Sequence, residues 1–322
     1  MDKLLTILSD GEYHSGEELG RYLGISRTAI WKQIQKIDAL GLAVESQKGC
    51  GYRIAGGLDL LVQELIRNQL SESAQELLVN LEIQSSVTST NELARRQAED
   101  GNASGLVLFA EQQTSGRGRR GRQWVSPYGY NLYLSLVWGF EGGVQAIEGL
   151  SLAVGVAVLR GLKRWGVEGV ELKWPNDLLW KKRKVGGILL EVIGDPSGFC
   201  QVVIGIGINV GMPDKYSQSI DQDWANLNHL LVGNVGRSDL GGAIVDEVLL
   251  LLGRYHEEGF RGCREEWLQH DAYADSPVKL LMMNKSMEGI ARGVDESGGL
   301  KLEVDGEIQI FSGGEISLRG VA

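Results

Sequence analysis

The opening sixty positions carry apolar residues on a helical period, broken by glycine. "DKLLTILSDG" predicts a short helix that ends at Gly11. "SGEELGRYLG" predicts a second, with Ser15 as N-cap, Glu18 three residues on as its capping-box partner and Gly24 as the stop. "ISRTAIWKQIQKIDALG" predicts a third, from Ser26 as N-cap to Gly41 at the C-terminal end. On this helix Ile30, Ile34 and Ile37 share one face, while Thr28, Trp31, Lys32 and Gln35 point outward. "LAVESQKGCGYRIAG" then reads as two short strands with Lys48-Gly49 at their tip. Two helices joined by a tight turn, followed by such a hairpin, is the winged helix-turn-helix pattern.

After "LDLLVQELIRNQLSESAQELL", a polar helical connection reaching a second domain near residue 65, the period changes. "TSTNELARRQAEDG" predicts a helix starting at Ser89 with Glu92 as capping-box partner. "GLVLFAEQQ" is a strand, and "RQWVSPYGYNLYLSLVWGF" alternates like another. "VELKWPNDLLWKKRKVGGILLEV" reads as a strand, a Pro-containing turn bearing Asn176 and Asp177, then a hairpin with Lys184 just before an apolar strand. "CQVVIGIGINVG" is an apolar strand ending in Asn209, and its glycines at 205, 207 and 211 suggest close backbone approach by a ligand. From about 273 the chain reads as short strands, "VKLLMMN", "MEGIARGVD", "LKLEV" and "IQIFSGG", with Asp305-Gly306 as a hairpin turn.

Charge sharpens the picture. The chain has 322 residues and a net charge of −10, so nucleic-acid contact is expected in one region only. Between Arg21 and Arg53 lie six basic residues and two acidic ones. Arg27, Thr28, Trp31, Lys32 and Lys48 are the expected DNA contacts, a small protein-binding helical domain being the alternative. Three dispersed cysteines without a CxxC pair, and four dispersed histidines, argue against a disulfide framework or a zinc site. No signal peptide is read at the N-terminus, and no apolar run at the ~18 residues a membrane span needs. The expected setting is the cytoplasm, with no membrane partner.

"TSGRGRRGRQW" concentrates four arginines within eight positions. Gly116, Gly118 and Gly121 match G-x-G-x-x-G formally, but a strand follows where a dinucleotide site requires a helix N-terminus. No G-K-[ST] completes a phosphate-binding loop, and no Ser-His-Asp arrangement or reactive cysteine stands out. Arginines, one lysine, one carboxylate and two asparagines suit anion handling, such as joining a carboxylate to a phosphate, where Asp177 would help place Mg2+.

Taken in order, "STN", "GRGRRGRQW", "KWPNDL", "KVGGILLE" and "GIGINV", behind a winged helix-turn-helix, resemble the bifunctional biotin–protein ligases that double as repressors of biotin operons. The resemblance covers the whole chain. It implies an α/β (α+β) protein in three parts: a winged helix-turn-helix over 1–60, a mixed-sheet ligase domain over 65–270 and a small SH3-like β-barrel over 273–322. It implies biotin and ATP as substrates and biotinyl-5'-AMP as both intermediate and corepressor. The implied partners are a biotin carboxyl carrier protein whose lysine accepts the biotin, operator DNA, and a second copy of the chain when the adenylate is bound. Carried over residue by residue, Ser89, Thr90, Asn91, Gln113, Arg117, Gly118, Arg119 and Lys184 line the biotin and adenylate site. Arg119 and Lys184 face the carboxylate and α-phosphate, and with Asp177 form the catalytic set. Trp124 lies against the adenine; Asn176, Asn209 and Arg319 serve the nucleotide side. A metabolite-responsive repressor with an inactive core, and a ligase for lipoate or another acid, are the alternatives.

Overall fold

The computed structural model describes residues 2–230, 235–282, 285–313 and 316–320. The front module contains α1 (Asp2–Leu8), α2 (Gly16–Leu23), α3 (Arg27–Ala39) and the wing β1 (Val44–Gln47) and β2 (Gly51–Ile54). The two N-caps form as expected. Ser15 Oγ accepts the Glu18 N–H at 3.1 Å and Ser26 Oγ the Ala29 N–H at 3.2 Å. Gly24, at φ 67, ends α2 in the left-handed conformation that only glycine adopts without strain. Leu4, Leu5, Leu8, Leu19, Ile30 and Ile37 form the core, joined by Tyr128 from the next part of the chain.

The connection after the wing is neither one helix nor a free linker. It forms α4 (Gln63–Arg67) and α5 (Glu72–Leu77); Ile66 of α4, Ala74 of α5 and Leu70 between them are buried in the core of the central unit. That unit continues with β3 (Asn80–Gln84), α6 (Thr90–Glu99), β4 (Leu106–Ala110), β5 (Leu132–Phe140) and α7 (Leu150–Lys163). It is completed by β6 (Val170–Lys173), β7 (Asp177–Trp180), β8 (Arg183–Gly194), β9 (Cys200–Ile208), α8 (Arg237–Glu258) and α9 (Arg261–Gln269). The sheet runs β3-β4-β5-β9-β8-β7-β6, parallel only between β3 and β4.

Both faces are covered, so the inner strands read as continuous apolar runs rather than alternating ones. Val107 and Phe109 pack toward the cluster that holds α7 and α8, while Leu106 and Leu108 meet Ala94 and Ala98 of α6. The segment read as one long strand from Arg122 becomes extended strand only at Leu132. One run, Gly143–Lys163, is long and apolar enough to cross a membrane, with mean hydropathy 1.4, contrary to the sequence expectation. Here it is a short 3-10 turn and α7, packed against α8 as an interior helix.

The C-terminal unit is an antiparallel sheet of β10 (Pro277–Leu281), β11 (Ser286–Val294), β12 (Leu300–Val304), β13 (Glu307–Phe311) and β14 (Ser317–Gly320), in the order β13-β12-β11-β10-β14. Asp305 and Gly306, at φ 51 and 84, make the expected turn between β12 and β13. Met283 and Asn284 of the strand read in "VKLLMMN", and Gly314 of "IQIFSGG", lie outside the described residues.

Candidate active site and nucleic-acid interface

Six segments converge on a cavity of about 380 Å³ at one end of the central sheet. They are the start of α6, the arginine loop between β4 and β5, the β6–β7 turn with the first residues of β8, the end of β9, the stretch 219–224, and Ile316 with Ser317 at the start of β14. Its wall contains Ser89, Thr90, Asn91, Gln113, Arg117, Gly118, Arg119, Trp124, Asn176, Asp177, Lys184 and Asn209. Arg319, on β14, lies instead in an adjoining cleft with Lys173, Lys182 and Lys184.

One wall is polar and neutral. Gln113 Oε1 accepts the Thr90 N–H at 2.9 Å, and Gln113 Nε2 donates to Ser126 Oγ at 3.0 Å. Asn91 Nδ2 donates to Glu191 Oε2 at 2.7 Å, while Asn91 Oδ1 accepts from Ser135 Oγ at 2.6 Å. The expected capping box at Ser89 is absent: Ser89 makes no side-chain cap. Gln113 has taken the first free amide of α6, and Glu92 turns to Arg96 and Arg117 instead. Ser126, Ser135 and Glu191 were not singled out from the sequence. A serine at a fully buried position of the apolar strand "LYLSLVW" is the signal that marks Ser135.

The opposite wall is charged. Lys184 Nζ lies 2.6 Å from Asp177 Oδ1, and Lys173 Nζ lies 3.1 Å from Asp177 Oδ2. Burial alone would raise the Asp177 carboxyl, but Lys184 and then Lys173 outweigh it and hold the group below the usual carboxylate range. Burial pushes the Lys173 ammonium down, with Asp177 opposing. Asp177 opens β7 rather than lying within the turn, and Lys184 is an inner residue of β8 already paired with a carboxylate. Both Asp177 oxygens therefore face ammonium groups, and among the described residues no three His, Cys, Asp or Glu side chains gather as a metal site. This donor set does not fit a protein-held Mg2+.

The arginine loop closes as a small hairpin. Trp124 N–H reaches the Gly116 carbonyl at 2.9 Å and Gly118 N–H the Arg122 carbonyl at 2.7 Å, with a one-turn 3-10 segment at Arg119–Gly121. No helix follows, which removes the dinucleotide reading. Arg119 Nη1 donates to Asn176 Oδ1 at 3.0 Å, tying the loop to the β6–β7 turn. Burial pushes its guanidinium below the usual value, with Asp177 opposing. The β9 glycines make room for side chains of this chain: a Cβ at Gly205 would meet Asn91 Oδ1 at 2.2 Å, and one at Gly207 would meet the Trp124 ring at 2.6 Å. The indole Nε1 of Trp124 is buried with no partner, so a polar group still has a donor to meet there.

In the front module Arg27, Thr28, Trp31 and Lys32 are exposed along α3, and Lys48 is exposed in the turn between β1 and β2. Trp31 is 49% exposed, unusual for an indole without a binding role.

Comparison with known proteins agrees along the whole chain. Residues 83–209 match the biotin/lipoate A/B protein ligase family, 1–53 an HTH domain and 275–319 the biotin protein ligase C terminal domain. The bifunctional ligase/repressor BirA of Escherichia coli is 40% identical over 98% of this chain and 96% of its own length. The biotin--[acetyl-CoA-carboxylase] ligase of Paracoccus denitrificans is 33% identical over 72% of this chain and 98% of its own. Among solved structures, the biotin protein ligase of Aquifex aeolicus in complex with biotin and ATP matches with a TM-score of 0.63 at 28% identity, covering 76% of this chain and 100% of that one.

Proposed function

The chain belongs to the bifunctional ligase/repressor branch of the biotin protein ligases, and on that premise we propose how its geometry serves both activities. It is an ATP-dependent biotin ligase and a DNA-binding repressor. The observation that carries the mechanism is the cavity with one neutral polar wall and one cationic wall. Thr90, Asn91 and Gln113 offer hydrogen bonds to the uncharged ring of biotin. Arg119 and Lys184 bring the biotin carboxylate beside the α-phosphate of ATP, cancelling repulsion between two anions. Lys184 has three donors, so one remains on Asp177 while the others meet phosphate. A carboxylate oxygen attacks the α-phosphorus and pyrophosphate leaves. The amine of an acceptor lysine then attacks the acyl carbon of biotinyl-5'-AMP, AMP leaves, and the amine gives up a proton.

Asn176, Asn209, Trp124 and, from the adjoining cleft, Arg319 serve the nucleotide side. Mg2+, where the reaction uses it, would come with the nucleotide rather than be held by these residues. We assign the units as 1–60, 65–270 and 273–322, the setting as the cytoplasm, and Arg27, Thr28, Trp31, Lys32 and Lys48 as the operator contacts. The adenylate acts as corepressor by favouring a homodimer. Supporting this, β7 pairs β8 only as far as Gly187, which leaves the outer backbone edge of Leu190–Gly194 without a strand among the described residues.

The test is transfer of radiolabelled biotin to the carrier domain of an acetyl-CoA carboxylase, alongside gel shifts of operator DNA with and without biotin plus ATP. Biotin binding with no adenylate formed would replace this reading with that of a repressor whose core is inactive. Operator binding that ignores both ligands would remove the corepressor role.

A further inference from the structure

We propose that the β7–β8 hairpin is a docking element for the acceptor protein, with exposed Lys181 and Arg183 pairing with carboxylates that flank the acceptor's target lysine. This rests on the ligase reading above. Lys181 and Lys182 form the two-residue tip at φ 48 and 62, the left-handed region that such turns require and that Asn-Gly or Asp-Gly normally fills. The β12–β13 turn of this chain uses Asp305-Gly306 for the same purpose. Two lysines in that geometry keep strain that ordinary turn residues would relieve, and such strain persists where the side chains are needed.

The two tip lysines differ. Lys182, though exposed, is engaged within the chain, donating to the Ala272 carbonyl and lying 4.8 Å from the Tyr273 ring centroid and 3.7 Å from Glu171. Lys181 and Arg183 bracket the Trp180 ring at 4.5 and 4.9 Å and enter no ion pair among the described residues. In a chain of net charge −10 they form an exposed island of the opposite sign, which attracts an acidic partner and sets its orientation.

Its position suits the reaction. Arg183 is followed directly by Lys184 on β8, and Lys184 meets Asp177 at the wall of the main cavity. A second cleft, walled by Lys173, Lys182, Lys184 and Arg319 and by the carboxylates of Asp177, Asp221 and Asp223, leads from the base of the hairpin to the same pair. An acceptor held at the tip presents its neighbouring residues to that cleft. DNA phosphates have their own cations on α3 and the wing, so a protein surface is the partner this hairpin fits.

The experiment compares wild type with Lys181→Glu/Arg183→Glu, using the carrier domain of an acetyl-CoA carboxylase as acceptor and hydroxylamine as a small one. The expected result is a roughly tenfold fall in kcat/KM for the carrier domain at low salt, mostly through KM, narrowing at high salt. Adenylate synthesis and transfer to hydroxylamine stay unchanged. Lys181→Asn, which relieves the turn while removing one charge, should raise the carrier KM with no loss of thermal stability. Unchanged carrier kinetics in the reversed variant would overturn the proposal. So would an equal loss with hydroxylamine, which places the hairpin's effect in the cavity, or a loss confined to operator binding, which makes DNA the partner. A wild-type protein that forms no adenylate would instead overturn the ligase reading itself.

Discussion

Replacing Arg237 with Met should cost the chain about 4 kcal/mol, because it would strand a buried carboxylate. Arg237 is 2% exposed and Glu111 is 4% exposed, and their Nη2 and Oε2 atoms lie 2.6 Å apart. The guanidinium also donates from Nε to the Asp59 carbonyl at 2.7 Å and from Nη1 to the Asn131 carbonyl at 2.8 Å. The other oxygen of Glu111 accepts the Leu61 N–H at 2.6 Å. Breaking a buried pair by removing one partner costs about 3–5 kcal/mol, a large share of the roughly 5–15 kcal/mol that holds a domain together. Adding Glu111→Leu removes the stranded charge and leaves the Leu61 amide and the Asp59 and Asn131 carbonyls unpaired, neutral groups at about 1–3 kcal/mol each, the two carbonyls being already unpaired in Arg237→Met alone. The double variant should therefore be more stable than Arg237→Met alone.

Urea melts give the size of the cycle, and hydrogen exchange gives its place. A chain of several units need not unfold in one step, so the amides of Leu61 and Val62 are the sharper probes. Their protection should fall in both single variants and in the double one, even where global stability returns. If Arg237→Met costs less than about 1 kcal/mol, or the double variant loses the sum of the singles, the buried pair is not the clamp described here.

Arg119→Gly should speed dissociation of biotinyl-5'-AMP by about ten- to a hundredfold, the worth of one or two charge-assisted bonds, more than it slows its formation; an adenylate off-rate equal to wild type's would remove Arg119 from the closure. Lys184→Ala should abolish ligation while apo thermal stability falls only modestly, since Lys173 stays beside Asp177; parallel loss of both would make Lys184 structural. Burial raises the Asp271 carboxyl from 3.8 to about 6, with the Tyr273 N–H and then Lys182 opposing and Glu171 and Asp275 adding to the rise. Its contribution to stability is thus full below about pH 4 and lost as pH rises through about 6, so Asp271→Asn should stabilise by about 2–3 kcal/mol at pH 7 and not at all at pH 4. A denaturation midpoint that gains equally at both pH values would contradict this assignment. Deleting residues 1–60 should abolish operator binding and also weaken retention of the adenylate, measured by gel shift and ligand off-rate; retention unchanged from the full chain would mean that the front module does not support the site.

What the sequence made legible was local. The caps at Ser15 and Ser26 and the Asp305-Gly306 turn depend on partners within three residues, and the arginine loop and "KWPND" are contiguous strings. Where a distant group competes, local reasoning fails. Ser89 and Glu92 have the spacing of a capping box, yet Gln113, 23 residues away from Thr90, fills the amide first. The glycines of β9 were read as room for a ligand, but Asn91 and Trp124 come down onto Gly205 and Gly207. The polar connection after the wing hid Ile66, Leu70 and Ala74, whose burial depends on α8 far along the chain. Glu111 and Arg237 are 126 residues apart, and nothing in either neighbourhood announces the other.

The same long-range contacts explain why one chain can couple two activities. The arginine loop runs from the cavity at Trp124 into Ser126–Asn131, a stem with attachments on both sides. Ser126 bonds to Gln113 in the cavity, while Tyr128, 3% exposed, is packed in the core of the winged helix. Asn131 Oδ1 accepts the Val210 N–H beside Asn209, and its carbonyl accepts from Arg237, which grips Asp59 at the end of the front module. Across the same seam the Gly41 carbonyl, just past α3, accepts from Lys215 Nζ at 3.1 Å, five residues before the stretch that lines the cavity at Ile220. On the proposed reading, a ligand that drew the arginine loop onto itself would load this stem and so favour particular placements of α3. Linkage makes the effect reciprocal: DNA that prefers one placement of α3 must raise the affinity of the cavity for the adenylate by the same factor. On the reading proposed above, repressor and ligase would share one equilibrium, and the buried contacts of Tyr128, Glu111 and Arg237 are where substitutions should change the coupling.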